Sequence, residues 1–432
     1  MILASGQALK TESGKICRVD DFIGAGGQGE VFRADIDGYK VALKWYFPTQ
    51  ATERQKATLE YLIRIGSPTN KFLWPIEIVS LKDKPGYGYI MRLRESRFKG
   101  VSDLLKRRIE PSFRALCTAA YELADNFLEL HAKGLCYQDI SDTNIFLDPA
   151  SGEICISDND NVTIDGQEGG ILGTPRFMAP EVVVNRALPS ADTDRFSLAA
   201  LLFYMFFLNH PLEGERELKI RCLDLPAMYK LYGEEPIFIY DPDNNSNRPV
   251  KGEHDNAIIY WTIYPNFFRQ LFIKSFTIGL TNPKDGRVRE SEWRREMIHL
   301  RDSIMYCGNC GVENFYDPER LREGSSHECW HCKAEILLPP RLRIKDNVIV
   351  LNHNTSLSWH HLGKDWDFSE KIGEVVRHPK DPKVWGLRNK SADSWVCTLP
   401  DGTSVVLPPG KTVPIATGVK INFGAVEGEV RT

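Results

Sequence analysis

Apolar positions along the chain change period twice. In the first stretch they alternate with polar ones: Phe22-Ile23 lead into a glycine-rich turn, Val31-Phe32 lead out of it, and Val41-Ala42-Leu43 continue the alternation. Period-two alternation predicts strands with one buried face. From Ala51 the pattern turns helical, through Ala51–Ile65, an amphipathic stretch Phe113–His131 and an apolar run Phe196–Leu208. That run is about 13 residues, short of the roughly 18–20 that a membrane span needs, so it predicts a buried central helix. Asp241–Pro249 interrupts the helical region as a polar loop. Short alternating runs return after Pro339-Pro340: Val348–Leu351, Val384–Leu387, Ser404–Leu407 and Lys420–Phe423. Turn signals such as Pro400-Asp401-Gly402 and Pro409-Gly410 separate them. The pattern predicts a mixed α+β region over 1–302 and an all-β region over 341–432, with closely spaced cysteines between them at 303–338.

The first region carries a constellation suited to phosphate chemistry. Gly24-Ala25-Gly26-Gly27-Gln28-Gly29 sits between two strands, where glycines let backbone N–H groups approach phosphate oxygens without an intervening Cβ. Taken alone it is equally a hairpin turn. Lys44 ends the next strand thirteen residues after Val31, a distance at which an ammonium can reach the α- and β-phosphates of a nucleotide. A carboxylate on the following helix should hold that ammonium; Glu60 is the candidate and Glu53 the alternative. Asp139 and Asn144 stand five apart in a loop. That spacing lets a carboxylate take an acceptor hydroxyl while an amide oxygen holds a metal. Fourteen residues on, after Ile154-Cys155-Ile156, Asp158 stands at a strand end as a suitable second magnesium ligand.

In this order and at these spacings the motifs resemble a eukaryotic-type Ser/Thr protein kinase. The resemblance implies a bilobal kinase fold that binds ATP and Mg²⁺. On it, Gly24, Gly26, Gly29, Val31, Ala42, Lys44 and Glu60 form the ATP site, Asn144 and Asp158 hold magnesium, and Asp139 orients the acceptor hydroxyl. Gly173-Thr174-Pro175 through Ala179-Pro180-Glu181 resembles the segment closing an activation loop, and Asp194-Arg195-Phe196 the start of the central helix. Arg287 resembles the arginine that pairs with Glu181. Thr174, Glu181, Asp194 and Arg287 are structural on this reading, and Thr174 favours serine/threonine over tyrosine substrates.

Three positions depart from the family pattern. Gln138 stands where many kinases carry an arginine that reads a phosphorylated activation loop, so control by that route is not expected. Ser141 replaces a lysine that commonly assists the transferred phosphate. Asp158-Asn159-Asp160 replaces Asp-Phe-Gly, losing an apolar packing group and a glycine. The charged groups that phosphoryl transfer needs are all present, so an active kinase is the leading reading. A pseudokinase-type nucleotide-binding scaffold is the rival. A small-molecule kinase is a further alternative, opposed by the Gly-Thr-Pro to Ala-Pro-Glu segment.

Cys307-Gly308-Asn309-Cys310 and Cys329-Trp330-His331-Cys332, 18 residues apart, predict a tetrahedral Cys₄ zinc ribbon. A thioredoxin-like redox motif would need only one such pair. The other six cysteines are scattered, and Met1–Lys15 has no apolar segment of secretory length, which together fit a reducing cytoplasm. Downstream, Trp385-Gly386-Leu387-Arg388-Asn389-Lys390-Ser391, Trp395 and Gly418–Gly424 resemble the late strands of a forkhead-associated (FHA) β-sandwich. Its early phosphothreonine-gripping signatures are not found. Arg377, Arg388, Asn389 and Ser391 are candidates for a phosphopeptide pocket, with a sandwich used only for packing or docking as the alternative. The order of kinase, ribbon and FHA-like sandwich resembles a bacterial kinase encoded with a PP2C-type phosphatase and a von Willebrand A protein. That resemblance implies those two as partners or substrates. The net charge of -4 argues against nucleic acid or an anionic membrane surface as the main partner.

Overall fold

The computed structural model describes residues 2–81, 84–167, 173–323, 327–364, 366–381 and 384–432. The chain divides into two compact units, one of Met1–Trp261 with Gln270–Arg294, the other of Thr262–Arg269 with Arg295–Thr432.

The first unit opens with six strands: β1 (Ala8–Thr11), β2 (Ile16–Ala25), β3 (Gly29–Ile36), β4 (Tyr39–Tyr46), β5 (Glu77–Leu81) and β6 (Lys84–Arg92). They close into a barrel in the order β1-β2-β3-β4-β6-β5. The predicted alternation is what fills it. Phe32, Ala34 and Ile36 of β3 and Leu43 and Trp45 of β4 turn inward onto Leu9, Val19 and Val79. Closure depends on β1, which the hydrophobic pattern did not predict. Lys10 pairs with Ser80 and Thr11 with Val79, so β2 and β5 are no longer open sheet edges. Between β4 and β5 runs α1 (Glu53–Ile65). Thr52 caps it by accepting from the Gln55 N–H at 3.1 Å, and Leu59 and Leu62 are its buried face.

The rest of this unit is mainly helical. The helix Phe113–Ala132 matches the amphipathic stretch closely. The apolar run forms most of the helix Ala191–Phe207, started by a Ser190–Thr193 capping box, with Leu208 as its C-cap, and every residue from Phe196 to Phe207 is buried. A helix that is apolar all round belongs in a core. No helix among the described residues is long and apolar enough to cross a membrane.

The second unit pairs Ile304–Tyr306 with Glu313–Phe315 next to the four cysteines, then forms two antiparallel sheets. One sheet runs Asn347–Val350, Arg341–Ile344, Glu427–Arg431, Lys420–Asn422, Trp395–Thr398, Ser404–Leu407. The other runs Ser356–Ser358, Lys371–Arg377, Trp385–Asn389, Thr412–Pro414. Leu342, Ile372, Leu387, Trp395 and Ile421 share the core of this sandwich. The cysteine segment is joined to it: Val350 packs in one apolar cluster with Met305, Cys307 and Cys329. Asn352 Nδ2 also donates to the Ile304 carbonyl at 2.8 Å.

Candidate active site

A cleft of about 950 Å³ opens against β2, β3 and β4, with Val31, Ala42, Leu73, Met91 and Phe146 among its apolar walls. Gly24, Gly26 and Gly29 line it at the turn between β2 and β3. The glycines have different physical reasons. A Cβ on Gly24 or Gly26 would meet open space, whereas one on Gly29 would lie 2.2 Å from the Trp45 carbonyl oxygen. Gly29 is thus required by the close approach of β3 to β4.

Lys44 projects from β4 into this cleft with its side chain only 5% exposed. The expected partner on α1 is not there: Glu60 is exposed and sits 3.7 Å from Lys56, one helical turn away, and Glu53 is exposed at the helix start. Lys44 Nζ instead donates to both carboxylate oxygens of Asp160, at 3.0 and 2.9 Å, and to Gln28 Oε1 at 2.9 Å, with Asp158 Oδ1 at 3.5 Å. Burial opposes the ammonium's charge, but Asp160 and Asp158 outweigh it and hold the Lys44 pKa above its usual value. Burial likewise opposes the Asp160 carboxylate, and Lys44 with Tyr46 and Tyr89 overcomes it and lowers its pKa. Asp160 is the residue that sequence reasoning missed. It read there as a lost glycine, although an aspartate following Asp158 at a strand end is a second acid that burial would force to find a cation.

Asp139 and Asn144 meet as their spacing suggests. Asn144 Nδ2 donates to Asp139 Oδ2 at 2.8 Å, while Asp139 Oδ1 accepts from the Thr174 N–H at 2.9 Å and from Thr174 Oγ1 at 2.7 Å. Thr174, expected to be structural, therefore aims the carboxylate that faces the cleft. The loop itself hangs on Asp194, which accepts from the Tyr137 N–H at 2.5 Å and the Gln138 N–H at 3.0 Å. His131 lies between Asp194 and Glu290, 3.1 and 2.6 Å away. Burial would lower the His131 pKa, but these two carboxylates raise it to about 9. Glu181 and the buried Arg287 form an ion pair at 2.8 Å, with Arg287 also donating to the Asp192 carbonyl at 2.7 Å.

Of the four candidate phosphopeptide residues, Asn389 and Ser391 meet each other. Asn389 Nδ2 is spent on the Asp393 and Leu407 carbonyls, and Ser391 Oγ donates to Asn389 Oδ1 and accepts from the Trp395 indole. Both are buried and brace the strand end. Arg388 pairs with Glu374 at 3.2 Å, and Arg377 lies over the Trp385 ring. These polar groups make hydrogen bonds, an ion pair and a ring contact within the sandwich itself.

Cys307, Cys310, Cys329 and Cys332 bring their sulfurs within 4.8 Å of one another. Cys307–Cys332 and Cys310–Cys329 are both 3.6 Å apart. Four thiolates around a zinc with bonds of about 2.3 Å would be separated by about 3.8 Å, so the donor set fits that ion.

A family model described as the protein kinase domain matches residues 17–251. The chain is 31% identical over 176 residues to CBL-interacting protein kinase 4 of Oryza sativa subsp. japonica, covering 38% of this chain and 38% of that relative. It is 32% identical over 109 residues to protein kinase C delta type of Mus musculus, covering 24% of this chain and 16% of that one. These alignments span well under half the length of the curated relatives they match. The family match takes in the glycine turn, Lys44, Asp139, Asn144, Asp158 and Asp194, and the chain belongs to the protein kinase domain family.

Proposed function

We propose that this chain is an Mg²⁺- and ATP-dependent serine/threonine protein kinase that phosphorylates itself and partner proteins. The observation that carries the reading is one cleft bounded by Lys44, by Asp158 and by an Asp139 carboxylate fixed by Thr174 and Asn144. Gly24, Gly26 and Gly29 with Val31 and Ala42 cover the nucleotide, and Lys44 grips its phosphates. Asn144 and Asp158 would hold magnesium: with its Nδ2 turned to Asp139, the Asn144 amide keeps an oxygen for a hard cation, and the Asp158 side chain is 41% exposed. The ion would supply charge neutralisation as the phosphoryl group moves. Asp139 accepts a hydrogen bond from the acceptor hydroxyl and so aligns it.

In the same proposal the Cys₄ cluster holds a structural zinc, stapling the ribbon to the FHA-like sandwich, and the sandwich serves packing or docking rather than phosphothreonine capture. The kinase works in the cytoplasm as part of a bacterial signalling module with a PP2C-type phosphatase and a von Willebrand A protein. Intact-mass measurement after incubation with Mg·ATP tests the activity. Added phosphates on Ser or Thr are expected for wild type and none for Asp139→Ala. Retained ATP binding with no phosphate on the protein or on generic basic peptides would favour the scaffold reading.

A further inference from the structure

We propose that Asp160, and not a carboxylate on α1, is the anion that positions Lys44 on the nucleotide. The inference rests on the kinase reading above and deepens it at the same site. Asp160 is fully buried, its side chain 0% exposed. Each of its carboxylate oxygens accepts from Lys44 and from one phenol: Tyr89 at 2.9 Å on Oδ1, Tyr46 at 2.5 Å on Oδ2. Three groups thus make four hydrogen bonds to a buried carboxylate, the two from Lys44 charge-assisted, and hold it in one orientation.

On the other side, α1 brings no acid to this point. Its two candidates, Glu53 and Glu60, are exposed. What α1 supplies is Gln55, whose Nε2 donates to the Asp160 carbonyl at 3.0 Å and to the Tyr46 hydroxyl at 3.2 Å. The helix thus braces the cage while the charge comes from the short turn Asn159–Asn161. That turn directly follows Asp158. Lysine anchor and metal-ligand candidate therefore belong to one short continuous piece of chain. Orientation of Lys44 then follows from folding of this turn and does not wait for α1 to swing an acid inward. Asp160 is not among the residues lining the cleft and acts through Lys44, so it is a positioning residue.

The test compares full-length wild type, Asp160→Asn and Glu60→Gln by steady-state phosphorylation of a basic Ser/Thr peptide, and by equilibrium ATP binding. Asp160→Asn should raise the KM for ATP tenfold or more and leave the KM for peptide within twofold, a split that general loosening of the fold would not produce. Glu60→Gln should change neither by more than twofold. If wild type transfers no phosphate, the kinase reading fails separately, and the ATP-binding comparison still decides the anchor. Should Asp160→Asn not fold, Tyr89→Phe removes one donor from the cage; a threefold or greater loss of ATP affinity supports the proposal, and no loss overturns it. A tenfold loss in Glu60→Gln, or unchanged ATP affinity in folded Asp160→Asn, also overturns it.

Discussion

Asp139 illustrates how much of this cleft is positioning. Its two oxygens accept three hydrogen bonds, from the Thr174 backbone, the Thr174 hydroxyl and the Asn144 amide, and the carboxylate can point in only one direction. Phosphoryl transfer asks the protein for alignment and charge stabilisation more than for covalent chemistry. Replacing Lys44 or Asp158 by alanine should accordingly lower the rate of phosphate transfer by roughly 10²–10³, as read by peptide phosphorylation, with circular dichroism beside it to separate lost activity from lost fold. Arg287 belongs to a different class. It is 3% exposed and paired with the half-buried Glu181, so Arg287→Ala should cost about 3–5 kcal/mol in a denaturant titration by emptying a buried site and leaving Glu181 and the Asp192 carbonyl without their donor. At this scale the sequence spacing shows well which residues share a loop, such as Asp139 with Asn144. It shows poorly which distant groups meet. The Lys44–Asp160 pair joins positions 116 residues apart, and nothing local to α1 reveals that Glu60 points to solvent. In the tail, Asn389 and Ser391 read as candidates for a phosphopeptide pocket, and their hydrogen bonds run inward.

Among the elements, the catalytic loop and the segment after Asp160 depend on neutral and ionic anchors of different kinds. Thr163 pairs with Cys136 across two short strands, and Gln138 Nε2 donates to the Thr163 hydroxyl. This contact needs no phosphate, and a neutral amide cannot form the bidentate charge-assisted pair that an arginine makes with one. Thr163→Ala, or phosphatase treatment, should leave peptide phosphorylation within about threefold; a loss of tenfold, about 1.4 kcal/mol of transition-state stabilisation, would mean another basic group reads a phosphate there. Residues 168–172 of this segment lie outside the described residues. The ionic anchor is His131, enclosed by Asp194 and Glu290, with Arg195 on Glu290 and on Asp192. Because the His131 pKa rises from 6.5 to about 9 on folding, its contribution is complete below about pH 6.5 and is lost as the pH climbs through 9. The Glu290 pKa moves the other way: burial opposes its charge, His131 overcomes that, and its contribution is lost as the pH falls below about 4.5. Thermal unfolding should therefore show a plateau between about pH 4.5 and 6.5 and a loss of up to about 3 kcal/mol that accumulates as the pH rises from 6.5 to about 9, and His131→Gln should abolish that alkaline step.

Across the whole molecule, two compact units answer to two sources of stability. The first buries a large core around the helix Ala191–Phe207; the second has the sandwich core and, beside it, a small apolar cluster shared by the cysteine segment and Val350. A small core of that kind is commonly stapled by metal. Metal analysis of purified protein should give about one zinc per chain, and removal by a strong chelator, or Cys329→Ser, should lower the unfolding midpoint of the second unit; four free thiols in a stably folded, zinc-free protein would count against the staple. The α+β and all-β regions were legible from hydrophobic period, because alternation and helical spacing report local burial directly. The barrel closure was not, since β1 is four residues long and its partner β5 lies about 70 residues away. Nor was the union of the cysteine segment with the sandwich, which rests on a shared apolar cluster and not on any sequence boundary.

The central claim is that this cleft moves phosphate from ATP to a hydroxyl. Incubation with radiolabelled ATP and Mg²⁺, wild type beside Asp139→Ala, tests it most directly. The account predicts label on serine or threonine of the wild type or of a basic peptide, at least about 100-fold faster than in the variant. Equal labelling of the two, or none in a wild-type protein that still binds ATP, would contradict it.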